Sequence, residues 1–245
     1  MTTWIVGDIH GCAEELSRLL ERLALGPDDD LVAAGDLFHR GPDAAGVARL
    51  LCAARARFVL GNHELRVLRR LGLAPTSTDP ADRPPRRDDW PELSDEDLRG
   101  DGGARCALDP KERVSIVRFL QGHAGFLVSS ARESRPPARD GSPWVVVHAG
   151  IDPRRPLSEQ RIADLVSTRR LPGPGRPFWY EAWEGPELVL FGHTPSPAPR
   201  PHRYRGRLVA LGLDTGCVYG GRLSAYAPEL DELVSVAASR DWVHA

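Results

Sequence analysis

An α/β architecture is the fold class this chain predicts, and three observations lead to it. Across residues 3 to 70, short apolar runs alternate with stretches whose apolar residues fall at helical spacing, the grammar of βαβ units. Each of those apolar runs ends in a glycine-flanked turn bearing Asp, His or Asn. The length of 245 residues, with 41% hydrophobic and 27% charged, is that of an ordinary globular chain able to bury a core without staples.

The elements follow in order. Thr3 to Val6 reads as a strand ending in Gly7-Asp8-Ile9-His10-Gly11, and Ala13 to Leu23 as an amphipathic helix. Leu31 to Ala34 is a second strand, ending in Gly35-Asp36, and Pro42 opens a helix to about Ala54, since proline suits a first turn. Arg57 to Leu60 is a third strand, ending in Gly61-Asn62-His63-Glu64, with a helix to about Arg70. Residues 75 to 105 are rich in Pro, Asp, Arg and Gly and read as a solvated loop or lid. A helix resumes over Pro110 to Gln121. Trp144 to Val147 is a buried strand ending in His148-Ala149-Gly150, and Glu187 to Phe191 another, ending in Gly192-His193-Thr194. Arg207 to Leu213 runs into Asp214-Thr215-Gly216, and Arg222 to Tyr226 and Glu232 to Val236 read as closing strands. With no solenoid repeat and no linker, residues 1–245 are expected to form a single domain, with 73–110 as its variable loop or lid.

Charge excludes some functions. Thirty-two basic against thirty-four acidic residues leave a net charge of -2, which gives no whole-chain argument for nucleic acid or a membrane surface. No run of eighteen apolar residues exists, and the N-terminus lacks the basic start of a signal peptide, so a cytoplasmic location is expected. Cys12, Cys52, Cys106 and Cys217 form no CxxC and read as buried or half-buried free thiols. Lys111 is the sole lysine, so phosphate contacts are expected from arginine forks.

The chemistry lies at the strand ends, where loops converge on a rigid sheet. The polar residues there are Asp8, His10, Asp36, Asn62, His63, His148 and His193. Carboxylate oxygen, imidazole nitrogen and one amide oxygen form a mixed ligand set suited to manganese, iron or zinc. Two divalent ions carry four positive charges, of which two carboxylates and a bridging hydroxide remove about three. What remains is a cationic pocket, and its natural client is a phosphate.

Gly7-Asp8-Ile9-His10-Gly11, Gly35-Asp36-Leu37-Phe38-His39-Arg40-Gly41-Pro42, Gly61-Asn62-His63-Glu64, His148 and His193 together resemble the metallophosphoesterase superfamily. Within it the chain resembles the branch shared by serine/threonine phosphoprotein phosphatases and bacterial symmetrical diadenosine tetraphosphatases. The His148-Ala149-Gly150-Ile151 turn and the stretch from Leu213 through Asp214-Thr215-Gly216-Cys217-Val218-Tyr219-Gly220-Gly221 to Ala225 are similar to the tetraphosphatase side. The likeness runs from residue 3 to about 226 and fails over roughly 73 to 110.

That resemblance implies an αββα sandwich with a dimetal site at the C-terminal ends of the strands. Manganese is the expected ion, with iron, zinc and cobalt as alternatives. Asp8, His10 and His193 would hold one ion, Asn62 and His148 the other, and Asp36 would bridge them. His63 would protonate the leaving oxygen and Arg40 would grip the phosphoryl group. The implied reaction is symmetrical cleavage of diadenosine tetraphosphate to two ADP by a hydroxide shared between the ions. The alternative is a serine/threonine or tyrosine phosphoprotein phosphatase on the same site, and nucleotide-capped RNA could share the chemistry. A silent metal-binding adaptor is disfavoured by the complete ligand set.

One departure bears on substrate. Phosphoprotein phosphatases usually carry Asp where this chain has His39, and a histidine cannot lend His63 that negative charge. Expelling a serine alkoxide means a leaving group with a pKa near that of bulk water, about 16. Expelling ADP means a terminal phosphate whose second pKa is about 6. The second needs far less proton assistance, so His39 tilts the reading toward phosphoanhydrides.

Other candidates have plainer readings. Trp179, Tyr180 and Trp183 could stack on adenine, although packing is the commoner role of such clusters. Arg83, Arg86 and Arg87 could hold distal phosphates, but Asp79, Asp82, Asp88 and Asp89 surround them. His123, His202 and His244 are expected to be structural, and Asp214 to organise the turn beside His193. No counterpart to a second phosphate-binding arginine is legible.

Overall fold

A computed structural model describes residues 1–78, 108–123 and 125–244. The region expected as a loop or lid, with Arg83, Arg86 and Arg87, lies from residue 79 to 107 outside the described residues.

In chain order the elements are β1 (Thr3–Val6), α1 (Ala13–Leu23), β2 (Asp30–Ala33), α2 (Ala44–Ala53), β3 (Arg57–Phe58) and α3 (Asn62–Arg70). Then come α4 (Pro110–Gln121), β4 (Leu127–Ser129), β5 (Trp144–Val147), α5 (Ile162–Ser167) and β6 (Leu188–Phe191). The chain closes with β7 (Arg200–Tyr204), β8 (Arg207–Gly212), β9 (Arg222–Ala227) and β10 (Glu232–Ala237). They build two five-stranded sheets, ordered β10-β9-β1-β2-β3 and β4-β5-β6-β8-β7. β1, β2 and β3 run parallel, as do β5, β6 and β8, while β9, β4 and β7 pair antiparallel.

Period-2 alternation explains the layering. Ile5 and Val32 from one sheet meet Trp144, Val146, Leu188 and Leu190 from the other in a single apolar cluster between the sheets. The alternate residues, Trp4, Val6, Val145, Val147, Val189 and Phe191, face outward into the larger cluster. There α1 and α2 cover the first sheet, and the segment with Leu165 and Trp179 covers the second. Central strands buried on both faces read as continuous apolar runs, which is why they were legible. The result is a helix–sheet–sheet–helix sandwich.

Several boundaries differ from the sequence expectation. Pro42 does not open α2; Asp43 caps it, accepting from Gly46 N at 2.6 Å, so the proline precedes the cap. The Pro110 helix does begin as expected, with Asp109 and Glu112 bonding each other's backbone N–H. Strands β4 and β7 and helix α5 were not anticipated. β7, Arg-Pro-His-Arg-Tyr, has no apolar alternation because it is an edge strand, where Pro201 and an irregular register at His202/Arg203 are tolerated. The two final strands extend the first sheet through β1.

Because six parallel strands supply their C-terminal ends to one rim, the polar turns after β1, β2, β3, β5, β6 and β8 converge there.

Candidate dimetal centre

The turns are shaped by backbone that ordinary residues avoid. His10 (φ 49), Asp36 (φ 50), Arg40 (φ 77) and His193 (φ 65) all lie in the left-handed region. Such conformations cost about 1–3 kcal/mol each and concentrate where side-chain aim matters more than stability. Gly35, at φ 95, also has no room for a side chain. A Cβ there would lie 2.7 Å from Gly61 N and 2.8 Å from His148 Nδ1.

Glu64 locks the rim together. Its buried carboxylate accepts from Asp36 N at 2.8 Å, Leu37 N at 2.9 Å and Gly61 N at 3.2 Å, tying the β2 turn to the β3 turn. Asp8 does the same across the sheets, its two oxygens accepting from His193 N at 3.0 and 3.1 Å. Asp214 accepts from Gly216 N at 3.1 Å and lines the cavity, consistent with its expected turn-organising role.

The side chains fall into two groups that share one residue. Asp8, His10 and Asp36 present donor atoms to one point, and Asp36, His148 and His193 to another. Asp36 splits its oxygens, with Oδ2 3.6 Å from His10 Nε2 and Oδ1 3.5 Å from His148 Nε2. This revises the expected partition. His193 does not join Asp8 and His10 through its ring, which reaches toward Asp8 only by its backbone N–H; its Nδ1 lies 3.1 Å from His148 Nε2. Asn62 Oδ1 is 3.1 Å from that same His148 nitrogen.

The donor set fits cations for a specific reason. Ala34 O can only accept, so His148 Nδ1, 2.8 Å away, carries the ring proton and leaves Nε2 as a bare lone pair. That lone pair faces Asn62 Oδ1, Asp36 Oδ1 and His193 Nδ1. On the other side, Arg40 can only donate, so its 3.2 Å contact makes His10 Nε2 an acceptor facing Asp8 and Asp36. Carboxylate, amide and imidazole donor atoms crowded this closely are what metal ions hold together.

Titration behaviour agrees. Burial pushes Asp36 up to about 7, Glu64 to about 7 and Asp214 to about 6, and lifts Asp8 well above the carboxylate range, helped by Asp214 and Asp36. Burial also drives the imidazoles down, His193 to about 2, and His10, His148 and His63 below their ordinary value, so all four rings are neutral and ready as donors.

His63 is mostly buried, its Nε2 3.8 Å from Asp36 Oδ2. His39 is fully buried beside it, ring centroids 4.5 Å apart, with Nδ1 4.0 Å from Glu64 Oε1. The cavity over these groups measures about 250 Å³ and is also lined by Arg40, Arg169, Pro195 and Tyr219. Arg169 is a second arginine at the cavity, one that the sequence did not single out. Its Nη2 donates to His193 O at 2.9 Å, and no motif marks it in Ser167-Thr168-Arg169-Arg170.

The aromatic cluster does not reach the cavity. Trp179 is buried, donates to Ala149 O at 3.0 Å and packs edge-on to Phe191, while Tyr180 stacks on Phe178 and Phe191. Packing is the role the structure shows for it. Of the remaining histidines, His123 is buried against Phe58 and His244 pairs with Asp241 on the surface. No described helix is long and apolar enough to cross a membrane.

Comparison with known proteins gives a consistent result. The sequence profile of the calcineurin-like phosphoesterase family matches residues 1–197. A bis(5'-nucleosyl)-tetraphosphatase, symmetrical, of Chromohalobacter salexigens is 31% identical, with 92% of this chain and 94% of that one covered. A bis(5'-nucleosyl)-tetraphosphatase of the asymmetrical type, PrpE of Bacillus velezensis, is 29% identical over 96% of this chain and 92% of its own. A crystal structure assigned provisionally as a diadenosine tetraphosphatase superposes with a TM-score of 0.67 at 30% identity, covering 96% of this chain and 93% of that one.

Proposed function

The chain belongs to the calcineurin-like phosphoesterase family, and from that premise we propose that it hydrolyses diadenosine tetraphosphate symmetrically, releasing two ADP. The relatives named above include both symmetrical and asymmetrical enzymes. The observation that carries a polyphosphate substrate is the distribution of guanidiniums. Arg40 abuts His10 in one ligand group and Arg169 abuts His193 in the other, with Asp36 shared between them. A phosphoryl group bound over Asp36 would meet an arginine on each side, which suits a phosphate inside a polyphosphate chain; the symmetrical point of cleavage follows the relatives of that type.

Two divalent ions, held by Asp8, His10 and Asp36 on one side and Asp36, Asn62, His148 and His193 on the other, would supply Lewis acidity and activate water. Manganese is our expectation. The chain's own residues do the rest. Arg40 and Arg169 fix the phosphoryl oxygens with paired N–H donors and stabilise charge as the bond breaks. His63 is placed to pass a proton to the departing oxygen. With His39 rather than a carboxylate against its ring, and with burial lowering its pKa, His63 is seldom protonated, which an ADP leaving group tolerates and an alkoxide does not.

The test is incubation of purified protein with Mn²⁺ and diadenosine tetraphosphate, with nucleotides resolved by ion-exchange chromatography. ADP as the sole product supports the reading. ATP plus AMP places the cleavage asymmetrically, and an intact dinucleotide beside a hydrolysed phosphopeptide assigns the protein to the phosphoprotein phosphatases.

A further inference from the structure

Behind the dimetal rim, on its core side, lies a second cluster of metal-binding atoms. The thiols of Cys12 and Cys217 and the carboxylate of Glu15 lie within 4.8 Å of one another. All three residues are buried, Cys12 and Glu15 at 0% exposure and Cys217 at 2%. Cys12 is two residues past His10, Cys217 is three past Asp214, and Glu15 stands in the first turn of α1.

Glu15 is the informative member. Its Oε1 accepts from Ser239 N at 2.8 Å and Trp242 Nε1 at 3.4 Å, and Arg18 lies 3.7 Å from the same oxygen. Its Oε2, equally buried, has no hydrogen-bond partner among the described residues. A buried carboxylate oxygen without a partner costs about 1–3 kcal/mol, more when charged. A disulfide or a pair of idle thiols gains nothing from it. A cation does, and thiolate sulfur selects soft ones.

We propose that Cys12, Cys217 and Glu15 form a separate site for one thiophilic cation of the zinc class, tying the β1–α1 loop to the β8–β9 loop beneath the catalytic rim. Charge closes there: two thiolates and a carboxylate carry three negative charges, offset by a dication and the Arg18 guanidinium. Ideal tetrahedral bonds would bring the sulfurs to about 3.8 Å apart, a contraction of at most about 1 Å. The Oε1 bonds from Ser239 and Trp242 then act as the orienting contacts that metal-binding carboxylates use.

The dimetal site holds no sulfur, so sulfur-to-metal charge transfer reports thiolates alone, and variants of Cys52 and Cys106 separate the two cysteines outside the cluster. Full-length protein, kept reduced by a phosphine and preloaded with Mn²⁺, is titrated with Cd²⁺ while the ultraviolet spectrum is read. A thiolate–cadmium band saturating at one equivalent is expected, retained in Cys52→Ser and Cys106→Ser and abolished in Cys12→Ser and Cys217→Ser. Glu15→Gln should keep the band but weaken cadmium affinity about tenfold or more. Absence of a band in the wild-type protein overturns the proposal, independently of how any variant folds. So does a band that survives loss of Cys12 and Cys217.

Discussion

Replacing His39 by aspartate probes the link between this site and its substrate. The substitution puts a carboxylate where an imidazole ring now lies 4.5 Å from the ring of His63. At an effective dielectric constant of about 20, opposite unit charges at that separation attract by roughly 3.7 kcal/mol, an upper bound on the help given to protonated His63. Glu64 works against it, since its Oε1 is 4.0 Å from the His39 ring and would repel a new negative charge at close range. Taking about half the bound, roughly 1.8 kcal/mol, the proton-donating step should improve about 20-fold. Only a substrate that needs the proton benefits. The assay is kcat/KM for a phosphoserine peptide and for diadenosine tetraphosphate, measured in parallel with wild type at saturating Mn²⁺. The ratio of ester to anhydride hydrolysis should rise about 20-fold in His39→Asp, chiefly through the ester. If metal content and circular dichroism are unchanged and the ratio stays within about twofold of wild type, then His39 does not set the leaving-group preference and the argument from it fails.

Other expectations follow from the same geometry. If Arg169 grips the phosphoryl group as proposed, Arg169→Ala should lower kcat/KM by about 100-fold with metal content intact, read by steady-state kinetics beside elemental analysis. Glu64→Gln leaves one oxygen and an amide nitrogen facing three backbone N–H donors, and urea unfolding at pH 8 should show a loss of about 2–3 kcal/mol. Trp179→Ala should cost about 3–5 kcal/mol of stability by the same measurement while changing KM little, since the indole packs on Phe191 away from the cavity. Metal binding should be proton-linked through carboxylates. Asp36 retains its proton up to about 7 and must lose it to bind, whereas the ligand imidazoles are already neutral, so Mn²⁺ affinity should fall as pH drops below about 7. Calorimetry in buffers of different ionisation enthalpy reads the released protons, and no release at pH 6 would contradict the assignment.

Sequence by itself determined the rim. Strands buried on both faces, such as Trp144–Val147, announce themselves as continuous apolar runs, and the glycine turns after them carry the polar residues that gather at one edge. Asp8, His10, Asp36, Asn62, His63, Arg40, His148 and His193 were all legible because each sits at a fixed offset from a strand end, where local pattern and tertiary placement coincide. Tertiary structure decided what has no local signal. Which ligands share a point depended on how two sheets cross, and His193 joined His148 because their strands, β6 and β5, are neighbours in one sheet. Arg169 was invisible because its place at the cavity comes from α5 folding back over the second sheet, which no spacing in the chain encodes. The fate of the aromatic cluster was likewise a matter of side: the residue pattern said only that Trp179 and Tyr180 would bury surface, and the packing of Phe191 chose the core. Periodicity reports which face of an element is apolar; only the assembled sheets, by bringing residues distant in sequence within bonding distance, fix which polar groups meet.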